Sequence, residues 1–247
     1  MNALIRVVDL ETTGSRPPDA AVVEIGWQDV IIDDFGRAAL AGPVGTILVD
    51  PGVPITPQTA AIHHIIDEDV LGAPAWMPTA EQVLRPADAR PSAFAAHRAA
   101  FEQRWCARLT GGQPWICTFK CALRVWPEAP SFSNQSLRYW RRPAGLDRAA
   151  GSPAHRAGPD AYVTAHLLRD MIDIAGLPAL LAWSAEPALF VRVPHGPERG
   201  QRFDALDEAT LDRLAASSNA EIAFSARAAR AARNNPVPHV QQGDLPL

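Results

Sequence analysis

Lysine is nearly absent from this chain. Lys120 is the only one in 247 residues, arginine supplies the remaining positive charge, and the formal net charge is -4. The pI is about 6.0. Gripping long duplex nucleic acid draws on clustered positive charge, so this balance excludes a protein whose main act is to hold many phosphates. It leaves room for an enzyme that holds a few nucleotides while bound cations supply the local positive charge. Cysteine is scarce as well. Cys106, Cys117 and Cys121 are odd in number and lack the spacing of a disulfide framework, which points to a reducing, cytoplasmic setting. Cys117 and Cys121 are spaced to share a helix face, but no second ligand pair stands nearby, and two small buried residues are expected there. No apolar run is long enough to cross a bilayer. Residues 1–6 lead straight into a strand-like run instead of a signal region, so no secretion is expected.

What is present is ordinary globular composition, 47% hydrophobic and 20% charged. The length allows one good core and a small appendage. Residues 4–10, 21–32 and 44–49 read as strands separated by turn residues, an antiparallel meander. A short helix is expected over 56–64, opened by Thr56 with Pro57 at its first position. Residues 93–96 and 115–118 are strand candidates. Helices are expected over 98–109, where Phe101, Trp105 and Leu109 recur every four residues, and over 120–126 and 135–140. A long helix begins at Pro159, with Val163, Leu167, Met171 and Ile174 at helical spacing. Strands first and then alternating strand and helix imply an α/β fold, a mixed sheet flanked by helices. Gly176-Leu177-Pro178 marks a boundary, giving a main domain over 1–176. A small C-terminal module over 177–233 follows, with a strand at 189–193 and a helix at 206–216. A polar, proline-containing tail over 234–247 is expected to be flexible.

Three groups of residues carry the chemistry. Asp9 and Glu11 are two apart at the end of an apolar strand, so both side chains point to one face and repel each other. A hard cation such as Mg²⁺ relieves that repulsion, although a solvated strand end also carries acids. Asp160 falls in the first turn of the long helix, where the helix dipole favours a carboxylate. His155 lies on the loop before it, and an imidazole can take a proton near neutral pH. Glu102 sits early in the 98–109 helix beside its apolar stripe.

Taken in order, these groups resemble the three motifs of the DEDDh 3'→5' exonuclease family. The first looks like Asp9-Leu10-Glu11-Thr12-Thr13-Gly14, the second like His97-Arg98-Ala99-Ala100-Phe101-Glu102, and the third runs from His155 through Asp160 to Ala161. Ala61-Ile62-His63-His64-Ile65 resembles a further segment, with His64 in place of a glycine. The likeness spans about residues 4–176. It implies a ribonuclease H-like five-stranded mixed sheet and two Mg²⁺ ions, replaceable by Mn²⁺. Asp9, Glu11 and Asp160 would hold the first ion, with Asp9 and Glu102 facing the second. His155 would be the base. Leu10, through its backbone, Thr12, Thr13 and His63 would seat the terminal nucleotide. The arginines at 138, 141, 142, 148 and 156 would guide the strand. The implied activity is a metal-dependent DNA 3'→5' exonuclease of repair or proofreading type. An RNA 3'-end trimming enzyme would use the same residues.

Glu102 and Arg98 depart from the family's aspartate and asparagine. The extra methylene of glutamate displaces the carboxylate unless the backbone compensates, and weakened activity is expected. The departures also keep open a non-catalytic nucleic-acid- or clamp-binding accessory protein. The last residues resemble a short sliding-clamp-binding peptide, with Gln242, Leu245 and Leu247 as its contacts.

Overall fold

The computed structural model describes residues 3–87 and 90–234. The chain divides into two compact units, residues 1–186 and 187–247. In the first, the central strand is β1 (Ala3–Thr12). It pairs antiparallel with β2 (Val22–Ile32), which pairs antiparallel with β3 (Ala38–Leu48). After α1 (Pro57–His63) and α2 (Trp76–Leu84), β4 (Ala93–Ala96) adds to β1 in parallel. The helix α3 (Ala100–Cys106) leads to β5 (Trp115–Cys117), parallel to β4. The order is β3-β2-β1-β4-β5, the mixed five-stranded sheet expected. Four further helices complete the unit: α4 (Thr118–Val125), α5 (Asn134–Arg141), α6 (Ala157–Ala175) and α7 (Leu177–Ala185).

Strand alternation sorts the core into two layers. Ile5 and Val7 of β1 and Val30 and Ile32 of β2 pack with Leu167, Leu168 and Met171 of α6. On the opposite face, Val8, Leu10 and Ile25 pack with Val83, Leu84, Cys106 and Leu109. The α6 helix therefore lies over the face that Ile5 and Val7 share with Asp9 and Glu11. Cys106, Cys117 and Cys121 are buried and free; burial was expected of Cys117 and Cys121.

The approach of α6 to the sheet depends on glycine. A Cβ on Gly26 would lie 2.1 Å from the carbonyl carbon of Ala157 and 2.3 Å from the nitrogen of Gly158. A Cβ on Gly158 would in turn meet that of Thr46 at 3.1 Å. Backbone here sits on backbone, so the first turn of α6 is fixed against β2 with no side chain between them.

Several boundaries differ from the sequence expectation. Strand β3 starts at Ala38, well before residue 44. Its first half is mostly alanine and ends in Gly42-Pro43, which reads as a turn, and it is held by ladder pairing to β2 at the sheet edge. Helix α3 spans only seven residues, shorter than residues 98–109, because the segment after Cys106 turns toward Gly111 and Gly112, both at positive φ. Gly176, with φ of 77°, separates α6 from α7 without separating units. The α7 helix stays with the first unit: Ser184 Oγ accepts the Cys117 N–H at 2.8 Å, and Lys120 Nζ donates to the carbonyls of Ser184 (2.9 Å) and Glu186 (2.6 Å). The division thus follows Glu186, not Gly176. The second unit holds α8 (Glu208–Ala215) and α9 (Ala220–Asn234) around Val193, Phe203, Leu211, Leu214 and Ile222. Residues 189–193 are not a strand; only an Arg192–Arg202 bridge forms there. Residues 235–247 lie outside the described residues, and so do Gln242, Leu245 and Leu247.

Substituting Gly26→Ala should cost about 3 kcal/mol of stability, because the methyl would overlap the α6 backbone. Urea unfolding checks this. A loss under ~0.5 kcal/mol would mean that α6 lifts from the sheet easily.

Candidate active site

On the α6 face the apolar part of β1 ends at Val7, and the next two positions on that face are Asp9 and Glu11, both half-buried. Asp160, in the first turn of α6, is 8% exposed. Its two oxygens are separately held: Oδ2 accepts the backbone N–H of His155 at 2.7 Å, and Oδ1 accepts from Gln135 Nε2 at 2.5 Å. Asn134 Nδ2 donates to the Asp160 carbonyl at 3.1 Å. His155 has a left-handed backbone, φ 58°, and an exposed side chain. This turn brings its ring beside the acids: one ligand atom each from Glu11, His155 and Asp160 all lie within 4.8 Å of one another.

Asp9 and Glu102 join this trio electrostatically. Glu102 is 3% exposed and its Oε2 has no hydrogen-bond partner. Burial, and then repulsion from Glu11, lifts its pKa to about 8. Burial together with Asp160 and Glu24 lifts Glu11 to about 8 as well. Asp9 is pushed well above the carboxylate range by burial and by Asp160, Glu11, Glu102 and Glu24. Asp160 is raised mainly by burial. The extra methylene of Glu102 therefore leaves its charge within the field of Asp9 and Glu11. A cluster of oxygen donors that repel one another, one of them orphaned and buried, suits a hard divalent cation.

The predicted substrate residues border this cluster in different ways. His63 is 1% exposed; its Nδ1 accepts the Ile65 N–H at 3.1 Å, so Nε2 carries the proton and is left without a partner. Burial lowers its pKa, and Glu24 and Arg156 are among its charged neighbours. Thr12 Oγ1 donates to the Gly14 carbonyl at 2.7 Å, and Thr13 Oγ1 accepts the Ala21 N–H at 2.9 Å. The Leu10 side chain is in the core, leaving only its backbone for a ligand. His97, from the second motif, ties loops together. Its Nε2–H donates to the Phe132 carbonyl at 2.9 Å, its Nδ1 meets Thr118 Oγ1 at 3.0 Å, and burial brings its pKa to about 4. Arg98 occupies φ 73°, a conformation that suits asparagine better, with its guanidinium 3.9 Å from the Phe119 ring centroid.

The arginine group divides. Arg138 is buried and donates to Gln135 and to the carbonyls of Gly151 and Arg148. Arg141 lies over Trp126 and Trp140, and Arg156 pairs with Glu24. Arg142 and Arg148 are exposed and line a shallow cavity of about 260 Å³ with Tyr139. Three residues escaped the sequence reading: Asn134 and Gln135, which hold Asp160, and the buried Glu24. A lone carboxylate in the apolar run of β2, two residues before a glycine, was the available signal for Glu24.

Residues 7–168 match the family model described as exonuclease (RNase_T). The chain is 34% identical over 213 residues to exodeoxyribonuclease 10 of Escherichia coli K12, covering 83% of this chain and 86% of that protein. It is 36% identical over 188 residues to a putative bifunctional exonuclease/endonuclease of Mycobacterium tuberculosis, covering 69% of this chain and 26% of that longer protein. Among solved structures, exonuclease X in complex with 5' overhanging duplex DNA superposes with a TM-score of 0.55 and 31% identity, over 73% of this chain and 99% of that one. E. coli exonuclease I in complex with a dA16 oligonucleotide shares the fold, with a TM-score of 0.55 and 14% identity over 73% of this chain and 42% of that one.

A carboxyl whose folded pKa exceeds its unfolded value lets the native state bind more protons between the two values, so stability falls as pH rises through that window. For Glu11 and Glu102 the window runs from 4.5 to about 8. Thermal unfolding in EDTA should show Tm decreasing across it, and millimolar Mn²⁺ should offset the decrease at the alkaline end. A Tm that stays level across this range in EDTA would contradict the repulsion.

Proposed function

The chain belongs to the exonuclease family, and on that premise we propose that it hydrolyses the terminal phosphodiester at DNA 3' ends, releasing nucleoside 5'-monophosphates. The observation that carries this reading is the convergence of Glu11 with the sequence-distant pair His155 and Asp160 on one point beside Asp9 and Glu102. The choice of DNA rests on the similarity to an exodeoxyribonuclease along most of both chains. The RNA-trimming and non-catalytic readings have no comparable support.

The family uses divalent metal, and the ion in our reading is Mg²⁺, with Mn²⁺ able to replace it. Asp9, Glu11 and Asp160 would hold one ion and Asp9 with Glu102 the second. Bound there, the ions supply positive charge against the phosphate and the leaving oxygen. The chain's own residues do the rest. His155 accepts the proton of the attacking water at its imidazole as a new P–O bond forms and the bond from phosphorus to the upstream 3' oxygen breaks, that oxygen taking a proton from solvent. Gln135 and the His155 N–H keep both Asp160 oxygens in place. The unpartnered His63 Nε2–H donates to the terminal nucleotide, which lies against Thr12, Thr13 and the Leu10 backbone.

No described helix is long and apolar enough to cross a membrane. A cytoplasmic role in repair or proofreading fits the three free cysteines. Clamp binding through Gln242, Leu245 and Leu247 rests on sequence alone.

A 5'-labelled single strand incubated with Mg²⁺ or Mn²⁺ should shorten stepwise from its 3' end. Asp9→Ala and EDTA should abolish the ladder, and His155→Ala should slow it by about 10²–10⁴-fold. A well-folded wild type that leaves both DNA and RNA intact would overturn the reading.

A further inference from the structure

Glu24 takes no part in the chemistry above, yet it is 1% exposed and its carboxylate gathers four donors. Arg156 donates to it from Nε at 3.0 Å and from Nη2 at 2.6 Å, the Ala157 backbone N–H donates at 2.8 Å, and Thr46 Oγ1 donates at 3.0 Å. Three of these donors belong to Arg156 and Ala157, the two residues that follow His155. Across the β1–β2 ladder, Glu24 stands opposite Glu11.

The His155 ring, in contrast, makes no hydrogen bond among the described residues. Its position is set by its backbone, which is held on one side by the bond from its N–H to Asp160 and on the other by Arg156 and Ala157. The left-handed conformation at His155 is uncommon for a residue with a side chain, and such a conformation persists where neighbours enforce it. The glycine contact of Gly26 with Ala157 and Gly158 lies on the same face of β2, two residues along. Buried ion pairs gain little stability over apolar replacements of equal volume, so stability alone gives little reason for a charge here.

We propose that Glu24 is a positioning residue for the hydrolysis: its carboxylate latches Arg156 and Ala157 to the strand opposite Glu11, and so fixes the His155 imidazole beside the carboxylate cluster. The latch rests on the exonuclease reading given above. Misplacing a base by about an ångström costs on the order of 10²-fold in rate.

Steady-state kinetics on a DNA 3' end test the latch, using E24Q in the wild-type and His155→Ala backgrounds. E24Q should lower kcat roughly 10- to 100-fold with KM within about twofold. In the His155→Ala background, with no ring left to place, the same substitution should cost less than about threefold. The Glu24→Asp variant, which keeps the charge, should recover part of the loss. R156Q removes the same link from a partly exposed side chain and should reproduce the kcat-selective loss if E24Q folds poorly. An equal penalty in both backgrounds, or kcat unchanged in E24Q and R156Q, overturns the latch. If the wild type itself releases no mononucleotide, the exonuclease reading has failed instead.

Discussion

The structure is organised around an electrostatic conflict. Asp9, Glu11, Glu102 and Asp160 are brought together where burial removes the water that would solvate them, and most of them are further raised by one another. A protein selected for stability alone would disperse these charges. Here the central strand, the first turn of α6 and the short α3 all converge on them. On the proposed reading, divalent cations would resolve the conflict by supplying positive charge among the acids.

Keeping the acids together requires α6 to approach the sheet closely. Gly26 and Gly158 allow backbone-to-backbone contact at the point where α6 begins. The bonds from Arg156 and Ala157 to Glu24, and from Gln135 to Asp160, then fix the loop and the first turn from two directions. Arg138 supports Gln135 from behind and is itself buried among carbonyls. His155 and Asp160 are thus held by residues outside the four-acid cluster.

The elements legible in the sequence were those whose pattern states their environment. The apolar run of β1 ending in Asp9 and Glu11, the helical stripe of α6, and the order of the three motifs led to the mixed sheet and to the acids. The first half of β3 was hidden because its alanines and Gly42-Pro43 are held by their neighbour strand, not by their own preference. Gly176 looked like a domain boundary because a helix break and a unit break look alike locally. Glu24, Asn134 and Gln135 act through partners more than twenty residues away, and spacing along the chain does not reveal such bonds. The arginines near the third motif read as one basic surface. The fold buries Arg138 and pairs Arg156, leaving Arg141, Arg142 and Arg148 exposed, Arg141 lying over two tryptophans.

The central claim is that these carboxylates hold protons that a cation must displace. Calorimetric titration with Mn²⁺ at about pH 7, repeated in buffers of different ionisation enthalpy, measures those protons directly. With Glu11 and Glu102 both raised to about 8, ion binding should release on the order of one proton or more per protein. The release should shrink in Glu102→Gln. Binding that releases no protons at this pH would show that the acids are already ionised in the free protein, and would contradict the account.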